Sequence, residues 1–189
     1  ETAERCLEQQ TILVVQDTTT LNFTALQRMA ELGPIDSGHF ARGMHVHSTL
    51  AITVGGRVLG VLDQQYWARP QPAVRQARQT DGEEKESAKW LYGLERARQA
   101  LFEAAGERPL PRLIHVMDRE GDTYEVLMAM DDCGDSAIIR SVQNRRVDDP
   151  LSTAHTAVRN QPIQAHATVP VNRQGRRPER VATVDIRSL

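Results

Sequence analysis

Aromatic side chains are scarce in this 189-residue chain, at 4%, so aliphatic residues must supply most of any core. Cysteine is rarer still. Cys6 and Cys133 cannot make a disulfide framework and stand at no metal-ligand spacing, so both read as ordinary thiols. No apolar run approaches the roughly 18 residues that span a bilayer, and Glu1 to Gln10 is charged and polar rather than signal-like. A cytoplasmic protein is therefore expected. A Walker-type phosphate loop is also missing, since Gly121 stands isolated.

What is present is enough for one good core and a small appendage, with 40% hydrophobic residues. Charge is unevenly spread. Residues 136–189 hold nine Arg and no Lys against four acids, +5, so the whole-chain −2 leaves −7 for residues 1–135. An acidic body with a basic end suits a protein that gathers metal in one place and phosphate backbone in another; solvated Arg-rich strands would look the same.

Two stretches organise the rest. Arg112 to Asp118 is an apolar run that meets a charge cluster, Asp118-Arg119-Glu120-Gly121-Asp122, before a helical pattern begins. Thr11 to Gln16 is a second apolar run, and it ends in Asp17. Each strand thus delivers one carboxylate at its tip, an arrangement that suits divalent metal ions, which want hard oxygen ligands on rigid elements.

In chain order, Glu4 to Gln10 reads as the tail of a helix and 11–17 as the first strand. Leu21 to Leu32 is either helical or a loop. Arg42 to Trp67 is a hairpin around Gly55-Gly56, with Met44, Val46, Ser48, Leu50 and Ile52 on one face and His45, His47, Thr49 and Ala51 on the other. Arg69 to Gly82 is a long surface loop. Thr80 and Glu83 resemble a capping box for an amphipathic helix carrying Trp90, Leu94, Ala97, Leu101 and Ala104, ended by Gly106 and Pro109. After strand 112–118, a helix near 122–132 carries Tyr124, Leu127, Met128 and Asp131 along one stripe and stops at Gly134. Ser136 to Val142 is a further strand, Asn144 to Pro150 a turn, and Leu151 to Arg159 a short helix. A hairpin, Gln164 to Val171 and Arg180 to Ile186, closes the chain around a basic linker.

The order β-β-β-α-β-α-β predicts an α/β fold with a mixed sheet and helices on its faces. The ribonuclease H-like nucleases and integrases have this order. The expected domains are 1–10, the end of an upstream helix; 11–160, an incomplete ribonuclease H-like core; and 161–189, the start of an inserted β-hairpin domain.

Six segments, in order, resemble the bacterial cut-and-paste DDE transposases of insertion-sequence family four, transposon-five type. They are Val15 to Thr19, Arg42 to Ser48, Tyr66 to Pro70, Glu84 to Trp90, Met117 to Asp122 and Ile139 to Ser141. The resemblance implies nicking of transposon ends, hairpin formation and strand transfer into target DNA, by a homodimer in a synaptic complex associated with the nucleoid. It implies two Mg²⁺ or Mn²⁺ ions, with Asp17 and Asp118 as the first two ligands. The family's third carboxylate lies in a Tyr-x₂-Arg-x₃-Glu-x₆-Lys pattern that no acid after Asp118 matches, so a catalytic-domain fragment is expected.

Around that pair, Glu120 and Asp122 are candidates for supporting the ligands through hydrogen bonds, although Asp122 also stands where a helix N-cap belongs. Arg119, Arg140, Arg145, Arg146, Arg173, Arg176 and Arg177 are candidate DNA contacts, and exposed Arg is common on any surface. His45 and His47 share a strand face as a zinc pair would, yet no third ligand follows at a useful spacing. Two other functions fit less of the chain. One is a degenerate transposase fragment that binds DNA without cutting it. The other is an aspartate-nucleophile phosphatase, which wants an acid two residues after Asp17, where Thr19 stands.

Overall fold

The first apolar run builds the central strand. In the computed structural model, residues 1–26, 28–38, 40–70, 86–147 and 152–188 are described. They fall into two compact units, Glu1–Ser141 and Val142–Leu189. Helix α1 (Thr2–Leu7) leads into β1 (Thr11–Asn22), whose Ile, Leu and Val residues favour a pleated, buried surface. The two-residue β2 (Gly33–Pro34) and the hairpin strands β3 (Arg42–Thr53) and β4 (Val58–Trp67) follow, then α2 (Ala88–Ala105), β5 (Arg112–Met117), α3 (Tyr124–Cys133) and β6 (Ser136–Ile139). The sheet is mixed, as expected. β3 pairs antiparallel with β1 on one side, β5 pairs parallel with β1 on the other, β4 lies outside β3, and β6 lies parallel outside β5. The parallel pairs are reached through helices because a parallel neighbour needs a crossover.

Two clusters hold the helices to this sheet. Cys6 of α1 and Ala97 and Leu101 of α2 pack on Ile12, Val14, Ala51, Leu59 and Leu113. Trp90 and Leu94 of α2 pack with Met117, Val126 and Met130. Fully burying each large apolar side chain contributes about 1.5 to 3 kcal/mol. The alternate residues of β1 and β5, Leu13, Val15, Ile114 and Val116, are only half-buried. The described helices of this unit thus cover one face of the sheet, where helices on its faces are expected from the sequence. On β3 the deeply buried row is the polar one, His45, His47, Thr49 and Ala51. Gly93 makes that possible: a Cβ there would lie 2.4 Å from Gln16 Oε1 and 2.8 Å from Thr49 Oγ1, so only glycine lets α2 come this close.

Several boundaries move. β1 runs on to Asn22, carried past Asp17 by continued pairing with β3 as far as Gly43. The stretch that follows is not helical at any described residue. The β3–β4 loop has four residues, 54–57, with Gly56 N–H donating to Thr53 O and Gly56 at φ 89°, in place of the expected two-residue turn. The long loop beyond Pro70 and the capping box at Thr80 and Glu83 lie outside the described residues. α2 ends at Gly106 as expected, at φ 59°. In α3 the buried stripe is Val126 and Met130, which pack with Trp90 and Leu94 of α2, while Tyr124 and Met128 of the expected stripe are exposed. Gly134 stops it in the left-handed region. β6 is four residues long, and Ile138 is exposed at its free edge.

The compact units divide after Ser141, whereas the sequence reading set the change at residues 160 and 161; the last strand of the sheet ends at Ile139, and everything after Ser141 belongs to the other unit. That unit has an Arg146–Thr153 bridge, a short α4 (Ala154–Arg159) and the expected antiparallel hairpin β7 (Ala165–Val171) and β8 (Arg180–Ile186). No helix among the described residues is long and apolar enough to cross a membrane.

Candidate active site at the ends of the parallel strands

The register of β1 and β5 decides where the two key carboxylates go. Their parallel ladder runs from Thr11 opposite Arg112 to Val15 opposite Val116. Asp17 follows Val15 by two residues as Asp118 follows Val116, so each lies just beyond the end of that ladder, on the same face of its strand. Both are exposed. Local backbone fixes each of them. Asp17 Oδ1 accepts from Thr18 N–H at 2.8 Å, and Asp118 Oδ1 accepts from Glu120 N–H at 2.7 Å, capping the 3₁₀ turn Arg119–Gly121. Like charges on neighbouring strands repel, and a cation between them removes that cost.

The pattern continues across the sheet. Met117 pairs with Ile139, and Arg140 N–H donates to Met117 O at 3.3 Å, which sets Arg140 beside Asp118 in the ladder. On the other side Asp17 pairs with Ser48, and Ser48 with Gln64. Gln64 Nε2 donates to Ser48 Oγ at 3.0 Å, and the Tyr66 hydroxyl donates to Gln64 Oε1 at 2.6 Å. A polar row therefore crosses five strands: Arg140, Asp118, Asp17, Ser48, Gln64.

Behind this row, on the helix side, lies a buried polar layer. His47 Nε2 is 2.9 Å from Gln16 Oε1, and His47 Nδ1 is 2.9 Å from Thr18 Oγ1. With Gln16 presenting its carbonyl oxygen, Nε2 carries the hydrogen and Nδ1 accepts from the threonine hydroxyl. The ring meets Trp90 edge-on at 4.6 Å. Burial pushes His47 down to about 4, and the charge of Lys89 acts in the same direction. His45 stacks on Trp67 at 5.3 Å and is likewise lowered, by burial first and then by Arg69. His47 thus has both ring nitrogens taken up by protein groups, while His45 stacks on Trp67 with its buried Nε2 unpartnered. Lys89, on α2, pairs with Glu120 at 3.2 Å and sits over the rings of Trp67 and Trp90.

Among the sequence candidates, Asp17, Asp118 and Arg140 lie just beyond the last pairs of neighbouring ladders, and Arg119 and Glu120 are exposed in the adjoining turn. Asp122 is buried and does not cap α3; Thr123 does, its Oγ1 accepting from Val126 N–H, because the 3₁₀ turn shifts the helix start. Arg145, Arg146, Arg173, Arg176 and Arg177 belong to the second unit, where all but the half-exposed Arg145 are exposed. Ser48, Gln64 and Tyr66 were passed over; their signal was strand parity, which has meaning only once the register to β1 is known. The described residues bring two carboxylates to this edge, and no cluster of three or more His, Cys, Asp or Glu that could hold a metal forms among them.

No family model matches the chain, and no curated protein does. Among solved structures it is similar to the crystal structure of the Mos1 mariner paired end complex with Mn, at 13% identity and a TM-score of 0.36. The match covers 72% of this chain and 39% of that one, so the chain spans well under half the length of that structure's chain.

Proposed function

We propose that this chain carries the ribonuclease H-like core of a DDE-type DNA transposase of insertion-sequence family four, with Asp17 and Asp118 as two of its metal-holding carboxylates. The single observation in support is the parallel register of β1 and β5, two residues beyond whose last pair both acids follow. The strand order, with β1 between β3 and β5, agrees with that reading.

The donor set suits Mg²⁺ or Mn²⁺, because hard divalent cations take carboxylate oxygens and these two are fixed and exposed. Two such ions in the complete site would supply an activated nucleophile and charge neutralisation at a phosphodiester, for nicking, hairpin formation and strand transfer. Asp17 and Asp118 hold the ions, Arg140 meets phosphate at the same level, and Glu120 steadies the turn behind Asp118. The exposed Arg residues of the second unit, as the start of an inserted β-domain, grip the DNA backbone of transposon ends and target. A homodimer, as in synaptic complexes of this kind, completes the reading.

The reading also requires a third carboxylate. No third such group joins them among the described residues, and on this reading the 189 residues by themselves bind DNA without cutting it. In a thermal-shift titration, Mn²⁺ is expected to raise the melting temperature of the chain, and Asp17→Asn or Asp118→Asn to abolish the rise. A rise unchanged in both variants overturns the site. Mn²⁺-dependent nicking of a labelled transposon-end duplex by the isolated chain would overturn the non-cutting form of the proposal and leave the metal ligands standing.

A further inference from the structure

Tyr66 is 56% exposed, yet its position is tightly specified. It stands on β4 opposite Val46 of β3, which in turn lies opposite Thr19 of β1, so its side chain shares the face of Asp17 and stands two residues further along. Two strand spacings and two residues of rise set its Cα about 12 Å from that of Asp17. The phenol is tied. Its hydroxyl donates to Gln64 Oε1 at 2.6 Å, and the Gln64 amide donates to Ser48 Oγ at 3.0 Å, the residue paired with Asp17.

More than half of the residue is exposed, so packing alone does not account for the restraint. What the restraint provides is a flat apolar surface with its rotamer already chosen, which lowers the entropy cost of stacking another ring on it. From this we infer that Tyr66 is a nucleobase platform: a DNA strand whose phosphate lies at Asp17 and Asp118 runs outward along the polar row and stacks one unpaired base on the phenol. The inference rests on the DNA-processing reading of the carboxylate pair. An unpaired base is required because in a duplex the π faces are already occupied by their neighbours. Ser48 and Gln64 lie between the two points and present hydroxyl and amide groups to the strand crossing them. Sequence-tolerant binding follows, since every base has a π face.

The test uses the full 189-residue chain and single-stranded oligonucleotides carrying 2-aminopurine, whose fluorescence is quenched on stacking, with Mg²⁺ present. The unsubstituted chain is expected to bind with quenching and Tyr66→Phe, which keeps the ring but loses the hydroxyl that ties it, somewhat less tightly, while Tyr66→Ala loses about tenfold in affinity together with the quenching. Gln64→Ala, which unties the phenol but leaves it in place, is expected to fall between them. Ultraviolet crosslinking of a 5-iodouracil oligonucleotide, mapped by mass spectrometry, should give a Tyr66 adduct. Equal affinity and quenching in Tyr66→Ala, or a wild-type chain that binds no single strand, overturns the platform. Neither result bears on the Mn²⁺ titration of Asp17→Asn, which judges the carboxylate site separately.

Discussion

Lys89 Nζ lies 3.2 Å from Glu120 Oε2, and that contact fastens the first turn of α2 to the 3₁₀ turn that Asp118 caps. The lysine side chain is only 10% exposed and lies over the rings of Trp67 and Trp90 at 5.4 and 5.8 Å. Cation–π attraction to partly desolvated rings is worth about 1 to 2 kcal/mol, more than the ion pair to a largely exposed glutamate. Lys89→Met is therefore expected to lower stability by about 1 to 2 kcal/mol in urea unfolding, and Glu120→Gln to change it far less.

Acid should weaken the fold in two stages. His47 is held neutral, with its folded value near 4 against about 6.5 when unfolded. The unfolded chain then binds the extra proton between those values, so stability is full above pH 6.5 and falls as the pH drops toward 4, by up to about 3 kcal/mol. Lower still, Glu86 and Asp135 add to the loss. Burial alone would raise both, but Arg69 beside Glu86, and His115 and Arg98 beside Asp135, hold them below their ordinary values. Their contribution is present above those ordinary values and disappears as they protonate. Urea midpoints measured at pH 7, 5.5 and 4 should fall, with a shallower slope between pH 6.5 and 4 in His47→Gln.

Asp135 joins Arg98 of α2 to His115 of β5, with His115 fully buried and the carboxylate 8% exposed. Removing one member of a buried charged group strands the others. Asp135→Ala should cost about 3 kcal/mol or more, while Asp135→Asn, which can still accept hydrogen bonds, should cost less. Thermal unfolding of the two variants side by side checks the order.

Gly93→Ala is expected to destabilise by about 1 to 3 kcal/mol, the usual range for an overpacked contact. Its methyl would press on Gln16 Oε1, the partner of His47 Nε2. If the helix simply moves away, the tryptophan emission of Trp90 should shift toward solvent; a variant as stable as the parent would show that the close approach matters little.

The hairpin β3–β4, helix α2 and the C-terminal hairpin were legible in the sequence, because period-2 and period-3.6 patterns report on the chain's immediate neighbours. Asp17 and Asp118 were legible for the same reason: each ends an apolar run. Asp122 misled because an acid before a helix looks like a cap, and only the intervening 3₁₀ turn hands that role to Thr123. The polar face of β3 was unreadable as core, since His47 and Thr49 become buriable through Gln16, Thr18 and a glycine on a helix far along the chain.

By itself, then, the sequence determined most of the element types and the two acids that end apolar runs, since local periodicity and turn chemistry need no distant partner. The tertiary structure decided which strands that carry the acids become neighbours, which face of the sheet the described helices cover, and that Ser48, Gln64 and Tyr66 share the face of Asp17. Those outcomes depend on strand register, and a shift of one residue between β1 and β3 or β5 would send each of these side chains to the opposite face.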